Sequence, residues 1–219
     1  MDIKRILAAC DHTLLDRCAT RADIFALCDE GIAWGVASVC IPAAYVRDAK
    51  KYVGDRLKIC TVVGFPNGYT STEAKAQEVL CALSDGADEI DTVIHIGALK
   101  EGRDSEVEAE IARLKSLCGD CVLKVIVETC YLTEEEKIRA CGIVTRAGAD
   151  FIKTSTGFGT GGATREDVAL FARHVGEGVQ IKAAGGISSL EDAEDFLALG
   201  ATRLGTSRLI QLAKQAMGE

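Results

Sequence analysis

Hydrophobic and polar positions along the chain alternate between two periods. Short runs rich in apolar and β-branched residues recur at Arg5–Cys10, Val36–Ile41, Lys58–Gly64, Asp88–Ile94, Val122–Glu128, Phe151–Thr154, Val179–Lys182 and Arg203–Thr206, and each reads as a strand. Amphipathic helical stretches separate them. Five of these open on a hydroxyl followed three residues later by a carboxylate: Thr20/Asp23, Ser105/Glu108, Thr133/Glu136, Thr164/Asp167 and Ser189/Asp192. The hydroxyl satisfies an orphan backbone N–H, and the carboxylate suits the positive helix end. Gly35, Gly86, Gly148 and Gly200 each precede a strand, where a left-handed residue ends a helix. Counting five residues on from these glycines gives Cys40, Asp91, Lys153 and Gly205. Equal offsets put these four at equivalent points near the carboxyl ends of their strands.

Eight strand–helix units in 219 residues leave about 27 residues per unit, enough for a minimal (β/α)8 barrel. The fold class is therefore α/β, a single-domain (β/α)8 TIM barrel spanning residues 1–219. An open doubly wound sheet is the alternative, but it more often carries GxGxxG after its first strand, where this chain has Asp11-His12-Thr13. Two prolines and no low-complexity stretch leave no linker.

Charge narrows the partners. A net charge of −8 and a pI near 5.0 argue against nucleic acid and against an anionic membrane. A small anionic substrate remains open, because lysines and helix N-termini can make one site positive. The apolar run Ile6–Cys10 is too short for a signal peptide, and Gly31–Val46, interrupted by Pro42, falls short of the ~18 residues of a membrane span. A cytoplasmic protein with reduced thiols is expected, although the chain has ten cysteines. The CxxC of Cys118 and Cys121 reads as an exposed turn. His12, His95 and His174 show no metal-ligand spacing, so no metal site is expected.

The chemistry concentrates in FIKTSTGFGTGGAT, Phe151 to Thr164, and is repeated in IKAAGGIS, Ile181 to Ser188. In both, a lysine ends a strand beside a glycine-rich loop. A lysine there loses hydration, and desolvation or a second cation favours the neutral amine that attacks carbonyls. Lys153 and Lys182 thus suggest Schiff-base chemistry, with Asp91 partly neutralising the pair and relaying protons. The plainer alternative leaves both lysines half-exposed at the rim and makes Asp91 a salt-bridge partner. Thr156 and Gly157 in the first loop, Gly185 and Gly186 in the second, and Gly205 and Ser207 after the last strand are candidate substrate contacts. The glycines and Ser207 would cradle a phosphate, with Arg208 adding charge. Cys40 is expected to line the pocket, and Lys124 to be a buried ion-pair partner.

These segments resemble the deoxyribose-phosphate aldolase family. DHTLL, SVCIP, TVVGFP, EIDTVIHIGALKEG, LKVIVET, FIKTSTGFGTGGAT and IKAAGGI occur in family order over nearly the whole chain. The resemblance implies a cofactor-free class I aldolase that reversibly cleaves 2-deoxy-D-ribose 5-phosphate to acetaldehyde and D-glyceraldehyde 3-phosphate. Lys153 would form the Schiff base, with Lys182 and Asp91 tuning it and moving protons. The partner would be the sugar phosphate, with self-association as a dimer or tetramer compatible with the family. Thr92, His95 and the Asp16-Arg17-Cys18 stretch depart from the family pattern and bear on affinity and pH response, not on the reaction class. A transaldolase-like enzyme, a metal-dependent epimerase and a non-catalytic sugar-phosphate binder remain as other readings.

Overall fold

The computed structural model describes residues 2–218. Eight parallel strands close into a barrel in chain order: β1 (Cys10–Thr13), β2 (Ser38–Ile41), β3 (Ile59–Val63), β4 (Glu89–Val93), β5 (Val122–Ile126), β6 (Phe151–Lys153), β7 (Gln180–Ala184) and β8 (Arg203–Thr206). The seam joins β1 to β8, with Asp11 opposite Gly205. Around it stand α1 (Ile3–Ala8), α2 (Arg21–Trp34), α3 (Val46–Val53), α4 (Thr72–Ser84), α5 (Ile96–Lys100), α6 (Asp104–Cys118), α7 (Glu134–Arg146), α8 (Arg165–His174), α9 (Leu190–Ala198) and α10 (Leu209–Met217). None of the described helices is long and apolar enough to cross a membrane.

Alternation along each strand divides the molecule into two environments. Outward-facing Val39, Ile59, Ile90, Leu123, Ile152 and Leu204 are fully buried against the helices and form the apolar core. Burying each such side chain is worth about 1.5–3 kcal/mol, so this shell carries the stability of the fold. The inward positions carry much of the charge. The glycine-to-strand offsets hold: Gly35, Gly86, Gly148 and Gly200 have φ of 64°, 96°, 74° and 113°, a region that only glycine enters cheaply.

Two local expectations fail. The first apolar run is not a strand: Asp2 accepts from the Arg5 N–H at 3.1 Å and caps α1, whose Ile6 and Leu7 are buried. The first strand instead starts at Cys10, so the Arg5–Cys10 assignment shifts to Cys10–Thr13. Nor does Ser105 cap a helix. The unforeseen helix α5 hands over directly to α6, and Arg103 occupies the cap position with no side-chain bond to the backbone. The boxes at Thr20/Asp23 and Thr133/Glu136 form reciprocally, while Thr164 and Ser189 accept the expected N–H groups.

Candidate active site

The carboxyl ends of the strands open onto a cavity of about 700 Å³. Beneath it the barrel interior is ionic rather than filled with the branched apolar residues usual in this architecture. At the base, Arg203 of β8 donates to Glu89 at 2.8 Å and to Asp11 Oδ1 at 2.6 Å, and its guanidinium lies 5.4 Å from the Phe151 ring centre. Above it, Lys124 of β5 lies 2.7 Å from Glu89, 2.9 Å from Asp91 and 3.5 Å from Asp11. Lys182 of β7 then bridges Asp11 at 2.5 Å and Asp91 at 2.7 Å. Lys153 of β6 donates to the same Asp91 oxygen at 2.6 Å.

Register explains the convergence. Lys153 pairs with Lys182, and Asp91 with Lys124, on neighbouring strands, so their side chains enter the barrel at adjoining heights. The ammonium groups of Lys153 and Lys182 do not meet bare, because Asp91 Oδ2 bonds both. Gly205 makes the arrangement fit: a Cβ there would stand 3.0 Å from Lys182 Cε and 2.9 Å from the Ala184 Cβ.

Burial alone would raise Asp91, but Lys124, Lys153 and Lys182 hold it well below the usual carboxylate range. Asp11 is treated alike: burial opposes ionisation, and Lys182, Lys124 and Arg203 overcome it. Burial would neutralise Lys182, yet Asp11 and Asp91 push it well above the ordinary lysine value. Lys124 is raised in the same way, chiefly by Asp91 against its own desolvation. Lys124, Lys182 and Arg203 balance the carboxylates of Asp11, Glu89 and Asp91. Lys153 is the remaining base in this set and the member that borders the cavity.

The candidate site residues divide clearly. Asp91, Lys153 and Lys182 come together. Thr156, Gly157, Gly185, Gly186, Gly205 and Ser207 line the cavity, together with Arg17 and Arg208. Cys40 does not line it. It is buried beside the ionic interior, its Cα paired with that of Cys60 and its thiol within 4.8 Å of the Cys60 thiol and the Asp91 carboxylate. The Cys118–Cys121 turn also differs from expectation: Cys118 is buried, and the Cys121 thiol lies 3.0 Å from the Asp88 carbonyl. All ten cysteines are free thiols.

The sequence reading missed Glu89, Arg203 and Cys60 as parts of the site, and placed Asp11 at a strand end without giving it a role. For Glu89 and Arg203 the signal was inward alternation, two residues before Asp91 and Gly205. Asp11 and Cys60 join the site through strand pairing, Asp11 opposite Gly205 and Cys60 opposite Glu89. Cys60 donates to Asp91 Oδ1 at 3.2 Å and accepts from Lys124 at 3.2 Å. These residues also gather metal-ligand types the spacing had not suggested, in the groups Cys40, Cys60, Asp91 and Asp11, Cys60, Glu89. Lys124 already supplies the cation among them. His95 instead caps α5, its Nδ1 accepting from the Ala98 N–H at 3.1 Å, and borders a neighbouring cavity of about 360 Å³ with Tyr69, Tyr131 and Phe158.

Residues 5–203 match the model of the DeoC/LacD family aldolases. The chain is 59% identical over 214 residues to a deoxyribose-phosphate aldolase of Streptococcus agalactiae, covering 98% of this chain and 96% of that one. Among solved structures, an aldolase designated QR15 superposes with a TM-score of 0.92 at 36% identity, covering 97% and 96% of the two chains. The tetrameric deoxyribose phosphate aldolase of Aeropyrum pernix superposes with a TM-score of 0.89 at 30% identity, covering 99% and 92%.

Proposed function

The chain belongs to the DeoC/LacD aldolase family, and on that premise we propose that it reversibly cleaves 2-deoxy-D-ribose 5-phosphate to acetaldehyde and D-glyceraldehyde 3-phosphate through a Schiff base on Lys153. The observation that carries the reading is the contact of Lys153 with Asp91, at the one point where the buried ionic network borders the cavity.

The chemistry follows from the contacts. Lys153 releases its ammonium proton to solvent through the cavity and adds as the amine to the C1 aldehyde of the open-chain sugar. The Lys182 ammonium protonates the departing hydroxyl, and loss of water leaves an iminium. Asp91 takes the proton of the C3 hydroxyl as the C2–C3 bond breaks, and its electron pair moves toward the iminium nitrogen. D-glyceraldehyde 3-phosphate leaves, and an enamine stays on Lys153. Protonation of that enamine at carbon and addition of water release acetaldehyde and restore the amine. Asp91 and Lys182 suit these roles because each keeps other partners while the proton moves. The phosphate fits beside Gly185, Gly186 and Ser207, where backbone N–H groups and Arg17 and Arg208 supply positive potential.

The same reading extends to the cell and the assembly. Ten free thiols fit a reducing cytoplasm. A homo-oligomer, dimer or tetramer, fits the relative described as tetrameric. Sedimentation of the purified protein tests that assignment.

Borohydride reduction with 2-deoxyribose 5-phosphate, followed by peptide mapping, tests the mechanism. One adduct on Lys153 is expected, and its loss in Lys153→Leu with the fold intact. An adduct on Lys124 or Lys182 instead would overturn the assignment of roles.

A further inference from the structure

Glu128 follows the last residues of β5 and is 2% exposed. Its carboxylate has no ion pair among the described residues. It is also the one non-glycine residue described with a positive φ, at 56° with ψ 67°. A buried lone carboxylate on a strained backbone calls for a reason, and such strain concentrates at functional sites. The strain does not break the sheet. On either side, Val127 N–H bonds the Lys153 carbonyl at 3.1 Å and Thr129 N–H bonds the Thr154 carbonyl at 2.9 Å. What the left-handed turn changes is the direction of the side chain, which faces the loop after Lys153. Gly159 leaves room there, since a Cβ on it would stand 3.2 Å from Glu128 Cδ.

The carboxylate meets a single residue twice. Oε1 accepts from the Thr156 N–H at 3.1 Å, and Oε2 accepts from the Thr156 hydroxyl at 2.5 Å. Thr156 Oγ1 in turn accepts from the Phe158 N–H at 3.0 Å. A hydroxyl has one proton and two acceptor positions. Here the proton is committed to Glu128 and one lone pair to Phe158. The remaining lone pair can only accept, and Thr156 borders the Lys153 cavity.

We infer that Glu128 is a positioning residue that makes the Thr156 hydroxyl an acceptor-only contact, selecting acceptor aldehydes that carry a hydroxyl beside the carbonyl. The inference rests on the aldolase reading and deepens it. The hydroxyl at C3 comes from the reacting carbonyl and belongs to Asp91 and Lys182. The C4 hydroxyl of the sugar, which is the C2 hydroxyl of the aldehyde acceptor, is the donor left for Thr156. An aldehyde without it leaves the Thr156 lone pair buried and unmet, a stronger basis for rejection than a missing methylene.

The test runs the reaction in the synthetic direction with acetaldehyde as donor. The two acceptors are D-glyceraldehyde 3-phosphate and 3-phosphooxypropanal, which lacks the hydroxyl. Glu128→Gln is the informative variant, because an amide can accept only one of the two Thr156 donors and turns an N–H toward the other. The wild type is expected to prefer the hydroxylated acceptor in kcat/KM. The variant should lose at least about tenfold of that preference, one hydrogen bond's worth, while the rate with 3-phosphooxypropanal stays within about threefold. Thr156→Val should show the same loss, and it carries the comparison if Glu128→Gln does not fold. Parallel losses for both acceptors would assign Glu128 a structural role only and overturn the inference, as would a wild type that does not discriminate. Borohydride trapping of acetaldehyde on Lys153 in the same proteins keeps the two claims apart. Trapping intact with parallel losses strikes only this inference, whereas no trapping in the wild type strikes the aldolase reading and this one with it.

Discussion

Replacing Asp91 by Asn tests the ionic interior most directly, because this carboxylate accepts from Lys153, Lys182, Lys124 and Cys60 at 2.6, 2.7, 2.9 and 3.2 Å. Asn keeps the volume and loses the charge. Lys182 retains Asp11 and Lys124 retains Glu89, so neither is stranded. Lys153 loses the one carboxylate it contacts among the described residues. Removing one partner from a buried ion pair costs about 3–5 kcal/mol, and the surviving contacts put this case near 3. For a chain of this size that is a fall in Tm of about 6–12 °C. The rate should fall further than stability explains, by about 10²–10⁴ in kcat, because the proton acceptor for the C3 hydroxyl is gone. A coupled assay for glyceraldehyde 3-phosphate and a thermal melt on the same sample measure both. A variant that melts with the wild type and turns over within tenfold of it would refute the reasoning.

The same network sets the pH limits of stability. Asp11 and Asp91 have depressed folded values, so their contribution is complete above the unfolded carboxylate value near ~4 and drains only as pH falls through the lower folded values. Lys124 and Lys182 have raised values, so theirs is complete below ~10.4 and is lost only above that. The network's share of stability is therefore flat from about pH 5 to 10. Burial, however, lowers His12 and raises the Cys28 and Cys141 thiols. Denaturant midpoints should therefore be flat only from about pH 7 to 8 and should fall as pH rises past the unfolded thiol value of ~8.5; a midpoint level up to about pH 10 would contradict this. Gly205→Ala should cut kcat/KM by about tenfold or more by crowding Lys182 Cε, with a stability loss of about 1–3 kcal/mol in a chemical melt. Full activity would show that Lys182 is not held by that contact. Ser207→Ala should raise KM for the phosphorylated sugar several-fold and leave that for unphosphorylated deoxyribose unchanged; equal effects on both would remove Ser207 from the phosphate site. Burial pushes the Cys28 thiol up to about 11 and Cys141 up to about 12, so native alkylation at pH 8 should label exposed Cys18 and Cys81 first. Mass mapping that finds Cys28 or Cys141 labelled as fast would count against the packing.

Legibility in the sequence followed the environment of each position. The outer face of the barrel repeats one physical demand eight times, apolar residues against helices, so strands, caps and the Gly35, Gly86, Gly148 and Gly200 turns were all readable. The exceptions lie where that demand weakens. The α1 run packs against α9 and α10 rather than entering the sheet, and apolar periodicity over six residues cannot separate the two. Ser105 had the right spacing for a cap, but the short helix before it decided where α6 began. Lys153 and Lys182 were conspicuous because a charge beside glycines at a strand end is costly unless used. Asp11 and Glu89 were not, since an acidic residue at a strand end reads equally well as a solvated one. Cys40 was ambiguous for the complementary reason: a small thiol at a strand end fits a pocket wall and a buried neighbour alike, and here it stands beside Cys60 and Asp91 just inside the barrel.

The division between shell and interior also explains why so much buried charge is tolerated. Replacing a buried ion network with apolar residues is often neutral or stabilising, so Asp11, Glu89, Asp91, Lys124, Lys182 and Arg203 need not be there for the fold. The outward strand faces already hold the barrel together through Val39, Ile59, Ile90, Leu123, Ile152 and Leu204. What the interior ions supply is fixed geometry. Each carboxylate accepts from at least two cations, so Asp91 cannot turn toward one lysine without leaving another. A group held from several sides needs little reorganisation when a proton moves, which is the condition for electrostatic catalysis by a preorganised site. On this view Lys124 and Arg203, which do not reach the cavity, should matter for rate through Asp91 and Asp11. Lys124→Met is the discriminating change, since it keeps the length and removes the charge beneath Asp91. It should lower kcat by more than tenfold while leaving KM within about threefold, the pattern of an interaction made in the transition state. A raised KM with kcat unchanged would assign Lys124 to the fold and break the link from the barrel floor to the reacting lysine.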